Sequence, residues 1–280
     1  AIAQKHGLKL SEYGLFRGDE TVAGADEEGI YRGLGLEWIP PEIREDAGEF
    51  EAAQNHALPQ LVALDDIRGD LHSHTDQSDG ANTIHEMVGA AEAKGYEYYC
   101  VSDHSKSLTV ASGLDEARLL KRVEEVKEIN TSGKRKMRVL SGVEVDILAD
   151  GSLDISDDVL SQIDVVTASV HSRMKDSKAA MTERVCRALE NRHVDILGHP
   201  TGRLLLKRNG YEIDLDHVFE TARANRVAME LNSNPERLDL NPGNLRTAIR
   251  MGLRIAINTD AHSIMELDHM QYGVFQARRG

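Results

Sequence analysis

Short runs of apolar residues alternate with longer amphipathic segments between Leu71 and Asp260. The short runs have the length of β-strands, and the longer segments repeat their apolar positions every three or four residues, as helices do. Seven short runs occur, at 66–71, 98–103, 138–145, 165–170, 194–198, 227–231 and 254–259. The alternation predicts an α/β fold with a parallel sheet, and the nearly continuous apolar character of the runs favours a barrel covered by helices.

The first predicted helix shows how local chemistry sets its limits. Thr83 can accept a hydrogen bond at the N-terminus, and Glu86 three residues later completes a capping box. Apolar residues at Ile84, Met87, Val88 and Ala91 form one stripe, and Gly95 follows as a helix terminator.

Residues 1–50 have a different pattern, with shorter periods and more turns. We expect a brief strand at 12–16, a short helix at 26–34, and a stop at Pro40-Pro41. The acidic stretch 42–51 is predicted to be a solvated connector. The sequence therefore predicts a small α+β extension at 1–50 and a barrel domain at 51–280. The chain begins at Ala1 without a methionine, so we expect it to be a piece of a longer protein.

Composition excludes two classes of function. No apolar run approaches the roughly 18 residues of a membrane-spanning helix, so membrane insertion is excluded. The formal net charge is −14, which argues against a stand-alone nucleic-acid binder. A site that handles phosphate would need its own local positive charge.

Histidines and carboxylates follow the ends of six of the seven predicted strands; only the sixth run lacks an evident ligand. Because the carboxyl ends of parallel barrel strands converge on one face, we expect these side chains to share a pocket. The nine candidate metal ligands are His72, His74, Asp79, His104, Glu144, His171, His199, Asp260 and His262.

Imidazole nitrogens and carboxylate oxygens together suit Zn²⁺, Mn²⁺ or Fe²⁺ better than Mg²⁺ or Ca²⁺. Nine donors exceed the coordination of one tetrahedral ion, so we expect two or three divalent ions, Mn²⁺ or Zn²⁺ with Fe²⁺ as the alternative. Such ions would supply the positive charge that a phosphate ester needs. A structural metal cluster is the alternative to a catalytic one.

Other catalytic motifs are missing from the sequence. Gly198-His199-Pro200-Thr201-Gly202 has no following Lys-Ser or Lys-Thr of a P-loop, and there is no G-x-S-x-G elbow. Arg173 and Arg203 follow two of the candidate ligands closely and are the candidate substrate-binding residues, with surface salt bridges as the alternative.

The order His72-x-His74, Asp79, His104, Glu144, His171, His199, Asp260-x-His262 resembles the polymerase and histidinol phosphatase (PHP) domain. The resemblance implies a distorted (β/α)7 barrel with a trinuclear metal site. It further implies a first metal at His72, His74, Glu144 and Asp260, a second at Glu144, His171 and His199, and a third at Asp79, His104 and His262. By the same analogy Glu144, His104 and His171 are the candidate catalytic residues, with Glu144 beside a hydroxide that attacks phosphorus in line.

Three further strings, at 102–111, 198–203 and 230–240, resemble the C-terminal domain of bacterial family X DNA polymerases, and 8–45 is similar to the end of the polymerase thumb. The resemblance implies a manganese-preferring 3′–5′ exonuclease in DNA repair, with related activity on 3′-phosphates and abasic sites, and a cytoplasmic location. The polymerase core and DNA 3′ ends are the implied partners, with weak DNA binding by this chain alone. No polymerisation is expected, since fingers and palm are absent.

Two alternatives to the exonuclease stay open at this point. One is a phosphomonoesterase of the histidinol-phosphatase type, which would use the same metals on a small substrate. The other is a non-catalytic scaffold that binds metal to stabilise the polymerase.

Overall fold

The computed structural model describes residues 1–133 and 136–280. These residues form two compact units, Ala1–Val62 and Ala63–Arg278. The division expected from the sequence, 1–50 and 51–280, stays a prediction, and the first compact unit runs further, to Val62. Among the described residues, no helix is both long and apolar enough to cross a membrane.

The first unit contains a three-stranded antiparallel sheet in the order β1-β2-β3 and three short helices. The strands are β1 (Lys9–Ser11), β2 (Gly14–Arg17) and β3 (Glu20–Ala23), and the helices are α1 (Ile2–Lys5), α2 (Glu27–Gly33) and α3 (Glu49–Gln54), with a 3-10 turn at Pro41–Ile43. The predicted strand at 12–16 corresponds to β2. The predicted helix at 26–34 is confirmed as α2, because the Asp26 carboxylate caps it by accepting a hydrogen bond from the Gly29 amide at 2.6 Å.

The predicted connector over 42–51 is exposed to solvent over most of its second half, and Glu49 is the buried exception. Glu49 begins helix α3, and its carboxylate accepts hydrogen bonds from the Asp46 and Ala47 amides at 2.9 and 2.7 Å. Ala53 of this helix is wholly buried in a cluster with Leu36 and Ile39. A helix that buries Ala53 therefore begins inside the predicted connector.

A second polar contact ties α2 to the segment that follows it in the first unit. The Arg44 guanidinium donates two hydrogen bonds to the Glu27 carboxylate, at 2.7 and 2.8 Å, and the Trp38 indole donates a third at 3.0 Å. These donors lower the pKa of Glu27 to about 2, with the Arg44 hydrogen bond as the largest cause.

The second unit contains a seven-stranded sheet among its described residues, in the order β10-β9-β8-β7-β6-β5-β4, and every neighbouring pair is parallel. The strands are β4 (Gly69–Asp70), β5 (Tyr98–Val101), β6 (Arg138–Asp146), β7 (Val165–Ser169), β8 (Ile196–Leu197), β9 (Ala228–Asn232) and β10 (Ile255–Asn258). All seven strands predicted from the sequence are present, although β4 and β8 are only two residues long. The predicted α/β barrel class is confirmed.

Helices follow the strands and cover the outside of the sheet. They are α4 (Ile84–Ala93), α5 (Glu116–Thr131), α6 (Asp157–Leu160), α7 (Lys178–Leu189), α8 (Leu215–Asn225), α9 (Pro242–Arg250) and α10 (Met270–Arg279), with 3-10 turns at Leu64–Asp66, Thr109–Ala111 and Glu266–His269. The capping box predicted for α4 is confirmed: the Thr83 hydroxyl accepts from the Glu86 amide, and the Glu86 carboxylate accepts from the Thr83 amide. Such a cap contributes about 1 kcal/mol.

The two edges of the sheet meet just beyond the carboxyl ends of β4 and β10. An isolated parallel bridge joins Ser73 to Ala261. The His74 amide donates to the Ala261 carbonyl at 2.8 Å, and the Asp260 amide donates to the His72 carbonyl at 2.9 Å. The barrel is therefore closed at the end where the candidate ligands lie.

The main hydrophobic core lies between the sheet and the helices on its outside. Side chains such as Leu119, Val143, Met181 and Phe219 are almost completely buried there. Replacing one of these large residues with alanine is expected to destabilise the fold by about 2–5 kcal/mol. This rigid shell fixes the strand ends, and with them the positions of the polar residues that follow.

Candidate metal centre

The nine predicted ligands come together at the carboxyl ends of the strands. Their positions follow from the strands directly: two histidines flank the bridge after β4, one residue lies within β6, and the others follow β5, β7, β8 and β10, with Asp79 in the loop before α4. Because the strands are parallel and in register, residues separated by up to 190 positions meet on one face.

Glu144 lies at the centre of this cluster and is wholly buried. Its two carboxylate oxygens approach the ring nitrogens of five histidines. The distances are 2.8 Å to His104 Nδ1, 2.9 Å to His199 Nε2, 3.3 Å to His72 Nε2, 3.3 Å to His171 Nε2 and 3.6 Å to His74 Nε2. The carboxylate of Glu144 thus lies close to imidazole rings from four other strand ends.

Three overlapping groups of side chains present ligand atoms within 4.8 Å of one another. The groups are His74, Asp79, His104 and His262; then His72, His74, Glu144 and Asp260; and then His104, Glu144 and His171. The second group has the same four residues as the first metal implied by the family resemblance. The groups share His74, His104 and Glu144, so ions placed in them would be neighbours.

His199 and His104 differ from the arrangement that the resemblance implied. His104 lies with Glu144 and His171 as well as with Asp79, whereas His199 belongs to none of the three groups. The Nε2 atom of His199 nevertheless lies 2.9 Å from Glu144 Oε1. The assignment of individual ligands to individual ions therefore stays a prediction.

Buried atoms without hydrogen-bond partners show that the cluster fits metal ions. Among the described residues, His72 Nε2, His74 Nδ1, His104 Nδ1, His199 Nδ1 and Glu144 Oε2 are buried and make no hydrogen bond. Buried polar atoms normally have a partner, and leaving one unpaired costs about 1–3 kcal/mol. Several unpaired lone pairs in one pocket are what cation coordination by imidazole and carboxylate requires.

The electrostatics of the cluster are strongly perturbed. Burial disfavours the charged form of Glu144, but the imidazoles of His104, His72 and His171 outweigh burial and hold its pKa well below the usual range. Burial, together with the neighbouring His262 and His104, lowers the pKa of His74 to about 4. A carboxylate that stays ionised and an imidazole that stays neutral are the protonation states that coordinate metals.

Glu230 of β9 supports the cluster without belonging to any of the three groups. Its wholly buried carboxylate accepts from His72 Nδ1 at 2.7 Å and from the His199 amide at 2.7 Å. The side-chain amides of Asn258 and Asn232 donate to it at 3.0 and 3.2 Å. Four donors fix this carboxylate, which in turn fixes the ring of His72 so that Nε2 faces Glu144.

Asp146 plays a similar part for His171. Its Oδ1 lies 3.1 Å from His171 Nδ1, which leaves Nε2 of the same ring facing Glu144. Burial alone would lower the pKa of His171, but Glu144 and Asp146 raise it to about 10.

The loop that carries Asp79 is held by a buried ion pair beneath it. Arg122 of α5 lies with Nη1 at 2.7 Å from Asp103 Oδ2, and both side chains are almost wholly buried. Asp103 also accepts from the Thr75 amide at 2.7 Å and from the Ser78 hydroxyl at 2.6 Å. The residue preceding His104 thus positions the loop that presents Asp79.

Two of the predicted ligands have backbone conformations that residues other than glycine rarely adopt. Asp260 has φ +54° and His199 has φ +25°. Such conformations cost on the order of 1–3 kcal/mol and concentrate at functional sites, where surrounding contacts maintain them. The Asp260 carboxylate is further fixed by the Asn232 amide at 3.0 Å.

The two predicted substrate-binding arginines are engaged elsewhere in the structure. Arg173 is exposed and pairs with Asp176 at 2.9 Å. Arg203 is half-buried and donates through Nε to the Arg237 carbonyl at 2.9 Å and through Nη2 to the Leu238 carbonyl. Their role in phosphate binding stays a prediction.

Glu230 and Arg237 are the residues that sequence reasoning missed. Arg237 Nε lies 3.4 Å from Asp260 Oδ2, and its side chain is 21% exposed, so this arginine reaches the cluster. Glu230 was missed because it lies within the apolar run of the sixth predicted strand, one position before the end of that strand, and not after it. A charged residue inside an otherwise apolar strand was the available signal.

Comparison with known proteins places two families along the chain. A family model for the DNA polymerase beta thumb matches residues 1–45, and one for the PHP domain matches residues 70–234. The DNA polymerase/3′-5′ exonuclease PolX of Bacillus subtilis is 45% identical over the whole of this chain. The chain spans only about half of that relative, 49% of its length.

Two other relatives cover the barrel. A "probable phosphatase" of Thermoanaerobacter sp. is 31% identical over 69% of this chain and 78% of its own length. The crystal structure of histidinol phosphate phosphatase from Lactococcus lactis, complexed with zinc, L-histidinol and phosphate, superposes with a TM-score of 0.56. It covers 75% of this chain and 93% of that protein at 18% identity, which shows a shared fold.

Proposed function

This chain belongs to the PHP domain family, and from that premise we propose that it is a metal-dependent phosphoesterase that removes nucleotides stepwise from DNA 3′ ends. The observation that carries the proposal is the set of three adjoining donor groups around Glu144. The similarity to PolX over the whole chain, including the thumb match at residues 1–45, favours DNA as the substrate.

We infer that the cluster holds two or three divalent ions, Mn²⁺ or Zn²⁺, with Fe²⁺ as the alternative. Such ions, when bound, supply Lewis acidity at phosphorus and lower the pKa of water. Three of them against the carboxylates of Asp79, Glu144 and Asp260 would leave a local charge of about +3. That charge would offset the acidity of a chain whose net charge is −14.

The protein's own groups have distinct parts in this proposal. Glu230 and Asp146 keep a proton on Nδ1 of His72 and His171, because an ionised carboxylate can only accept a hydrogen bond. The Nε2 atom of each ring therefore faces the cluster, where it would coordinate a metal ion that displaces its proton. Glu144, His104 and His171 would bound the space in which phosphorus is attacked, and burial of Glu144 would exclude bulk water from it.

DNA 3′ ends and a polymerase core in a longer protein are the proposed partners. The family similarity at residues 1–45 supports the second partner. The net charge of the chain predicts weak DNA binding by this piece alone, because phosphate affinity comes mainly from Lys and Arg.

The test is a cleavage assay with Mn²⁺, a 5′-labelled single-stranded oligonucleotide, and a generic aryl phosphomonoester in parallel. A ladder of products shortened by single nucleotides from the 3′ end is the result expected. An intact oligonucleotide at saturating metal would contradict the proposal. A 3′-blocked oligonucleotide serves as the control, since it should resist stepwise degradation.

A second candidate is a small-molecule phosphomonoesterase, favoured by similarity to the Thermoanaerobacter relative and by the histidinol phosphate phosphatase fold. Hydrolysis of the aryl phosphate with an intact oligonucleotide would support it. If the chain hydrolyses neither substrate, the result would support the remaining alternative, a non-catalytic scaffold that binds metal to stabilise the polymerase.

A further inference from the structure

A short hairpin leaves the barrel just after His199 and ends in an exposed leucine. The hairpin, Arg203–Arg208, is closed by the antiparallel bridge between Leu204 and Arg208, whose amides donate to each other's carbonyls at 2.9 and 2.8 Å. Leu205, Leu206 and Lys207 form its turn. Leu206 is fully exposed, at 108% of the reference area, and Leu205 is 37% exposed.

The backbone of Leu206 has φ +61°, a left-handed conformation that normally selects glycine or asparagine in such turns. A large apolar residue in this position gains nothing from burial and adds backbone strain. Folding of the barrel therefore gives no reason for leucine at this tip, and contact with a ligand is the alternative.

Hydrogen bonds and an ion pair hold the hairpin against the segment that follows β9. The Leu205 amide donates to the Glu236 carbonyl at 2.6 Å, and Lys207 Nζ pairs with the Glu236 carboxylate at 2.6 Å. Arg203 donates to the carbonyls of Arg237 and Leu238. Arg237 itself reaches Asp260 of the metal cluster. The tip is thus mounted on the segments that follow β8 and β9, both of which end at the cluster.

The length of the hairpin limits how far its tip can lie from the residues that follow His199. The Tyr211 amide donates to the Thr201 carbonyl at 3.0 Å, so the excursion begins and returns beside the residue two positions after His199. Leu206 is five residues from Thr201 and can lie at most about 18 Å from it. With about 3.4 Å between stacked bases, that limit corresponds to at most about five nucleotides.

The positive charge of the hairpin favours a nucleic acid as its ligand. Arg203, Lys207 and Arg208 flank the leucines. Lys207 is paired with Glu236, whereas the two arginines donate to backbone carbonyls and keep their positive charge in a chain of net charge −14. Cations interleaved with an apolar tip match a strand of phosphates and bases. A protein partner is disfavoured, because stable protein interfaces bury on the order of 1,200 Å² and this tip offers one fully exposed apolar side chain.

We propose that this hairpin is a contact surface for a single-stranded DNA 3′ end, on which Leu206 packs against a nucleobase a few nucleotides from the scissile phosphate. The positive charges of Arg203 and Arg208 beside the turn would attract the phosphates of that strand. The assignment rests on the proposed function and adds to it a reason for choosing a nucleic acid over a small phosphate ester. The residue that favours a nucleic acid as substrate would then lie outside the metal-binding residues.

The first experiment compares Leu206→Ala with Ile249→Ala, a control that truncates a side chain 51% exposed on α9. Each variant degrades two oligonucleotides, one intact and one lacking bases over its last five nucleotides. For Leu206→Ala, kcat/KM on the intact oligonucleotide should fall about fivefold, the low end of the range for loss of a stacked aromatic side chain. The ratio of kcat/KM on the intact oligonucleotide to kcat/KM on the abasic one should fall toward one. The Ile249 control should retain the wild-type ratio, and an unchanged ratio in Leu206→Ala would overturn the proposal.

The second experiment needs no turnover and therefore separates this inference from the proposed function. Trp38 is the only tryptophan in the chain, so Trp38→Phe with Leu206→Trp places the sole indole at the hairpin tip. In chelator, an intact oligonucleotide should quench its fluorescence more than the abasic one. Equal quenching, or none, would overturn the hairpin contact even if the wild-type chain degrades DNA. Concentration-dependent self-association that Leu206→Ala abolishes would likewise overturn it, in favour of a contact between copies of the chain.

Discussion

Nδ1 of His72 lies 2.7 Å from Oε1 of Glu230, and both side chains are wholly buried. The carboxylate belongs to β9 and the imidazole follows β4, so the contact crosses the interior of the barrel. Glu230 also accepts the His199 amide, so one side chain positions two of the candidate ligands.

Replacing Glu230 with alanine is expected to weaken metal binding about 10- to 100-fold, because the ring of His72 loses the contact that holds its Nε2 toward Glu144. Titration with Zn²⁺ or Mn²⁺ under a competing chelator measures the change directly. Glu220→Ala, on the exposed face of α8, is the matched control and should bind metal as the wild type does. If the Glu230 variant binds metal with unaltered affinity, the hydrogen bond from His72 to Glu230 is not needed to position the His72 ring.

Metal removal should destabilise the barrel. An ion that binds only the folded state at a concentration 100 times its dissociation constant stabilises by about 2.7 kcal/mol. For a protein of this size that corresponds to a fall in Tm of about 5–10 °C on chelation. Calorimetry with and without chelator tests the shift, and elemental analysis should find two or three ions per chain. An unchanged Tm with no bound metal would remove the basis for the site.

His104→Ala should abolish hydrolysis while the barrel stays folded. His104 belongs to two of the three donor groups, so its loss disturbs ions on both sides. We expect activity to fall at least about 100-fold, the upper range for disturbing a metal site. The control is His217→Ala, an exposed histidine of α8. Full activity in the His104 variant, with an unchanged circular dichroism spectrum in both, would contradict the ligand assignment.

Arg122→Leu should lower the free energy of unfolding by about 3–5 kcal/mol, since it leaves the buried Asp103 carboxylate without its cation. Denaturant unfolding measures the loss. Adding Asp103→Asn should recover part of it, because the uncompensated charge is removed. Lys127→Leu breaks an exposed pair with Glu124 and should cost less than about 1 kcal/mol. Equal losses in the two single variants would mean that burial of the Arg122 pair is unimportant.

Acidification should uncouple Trp38 from α2 at low pH. The pKa of Glu27 is lowered from 4.5 to about 2, first by the Arg44 hydrogen bond and then by that of Trp38. The ionised carboxylate therefore stabilises this arrangement fully above pH 4.5, and the stabilisation is lost as pH falls toward 2. Fluorescence of Trp38, the only tryptophan, reports the change. Glu27→Gln should remove the pH dependence between these limits, and an identical acid transition in that variant would assign it to other groups.

Sequence alone was sufficient to predict the barrel and the convergence of nine side chains at its strand ends. Strand ends, helix caps and the alternation of apolar runs are local properties, and Thr83, Glu86 and Gly95 act within one helix. Parallel strands must bring their carboxyl ends to the same face, so the gathering of His72, Glu144 and the other donors followed from order along the chain. The acidic composition of 42–51 indicated an exposed segment but not the helix that begins at Glu49, because that helix buries Ala53 against residues outside the segment.

Only the tertiary structure decided how each side chain is oriented. Glu230 is 158 positions from His72, and whether its carboxylate faces the cluster depends on strand register across the closed barrel. Arg203 follows a ligand closely, yet it donates to carbonyls of the segment after β9, while Arg237 of that segment reaches Asp260. The order of residues fixes which groups can meet at the strand ends. Packing and hydrogen bonding then fix which atom of each group faces the centre, because direction depends on neighbours that are distant in sequence.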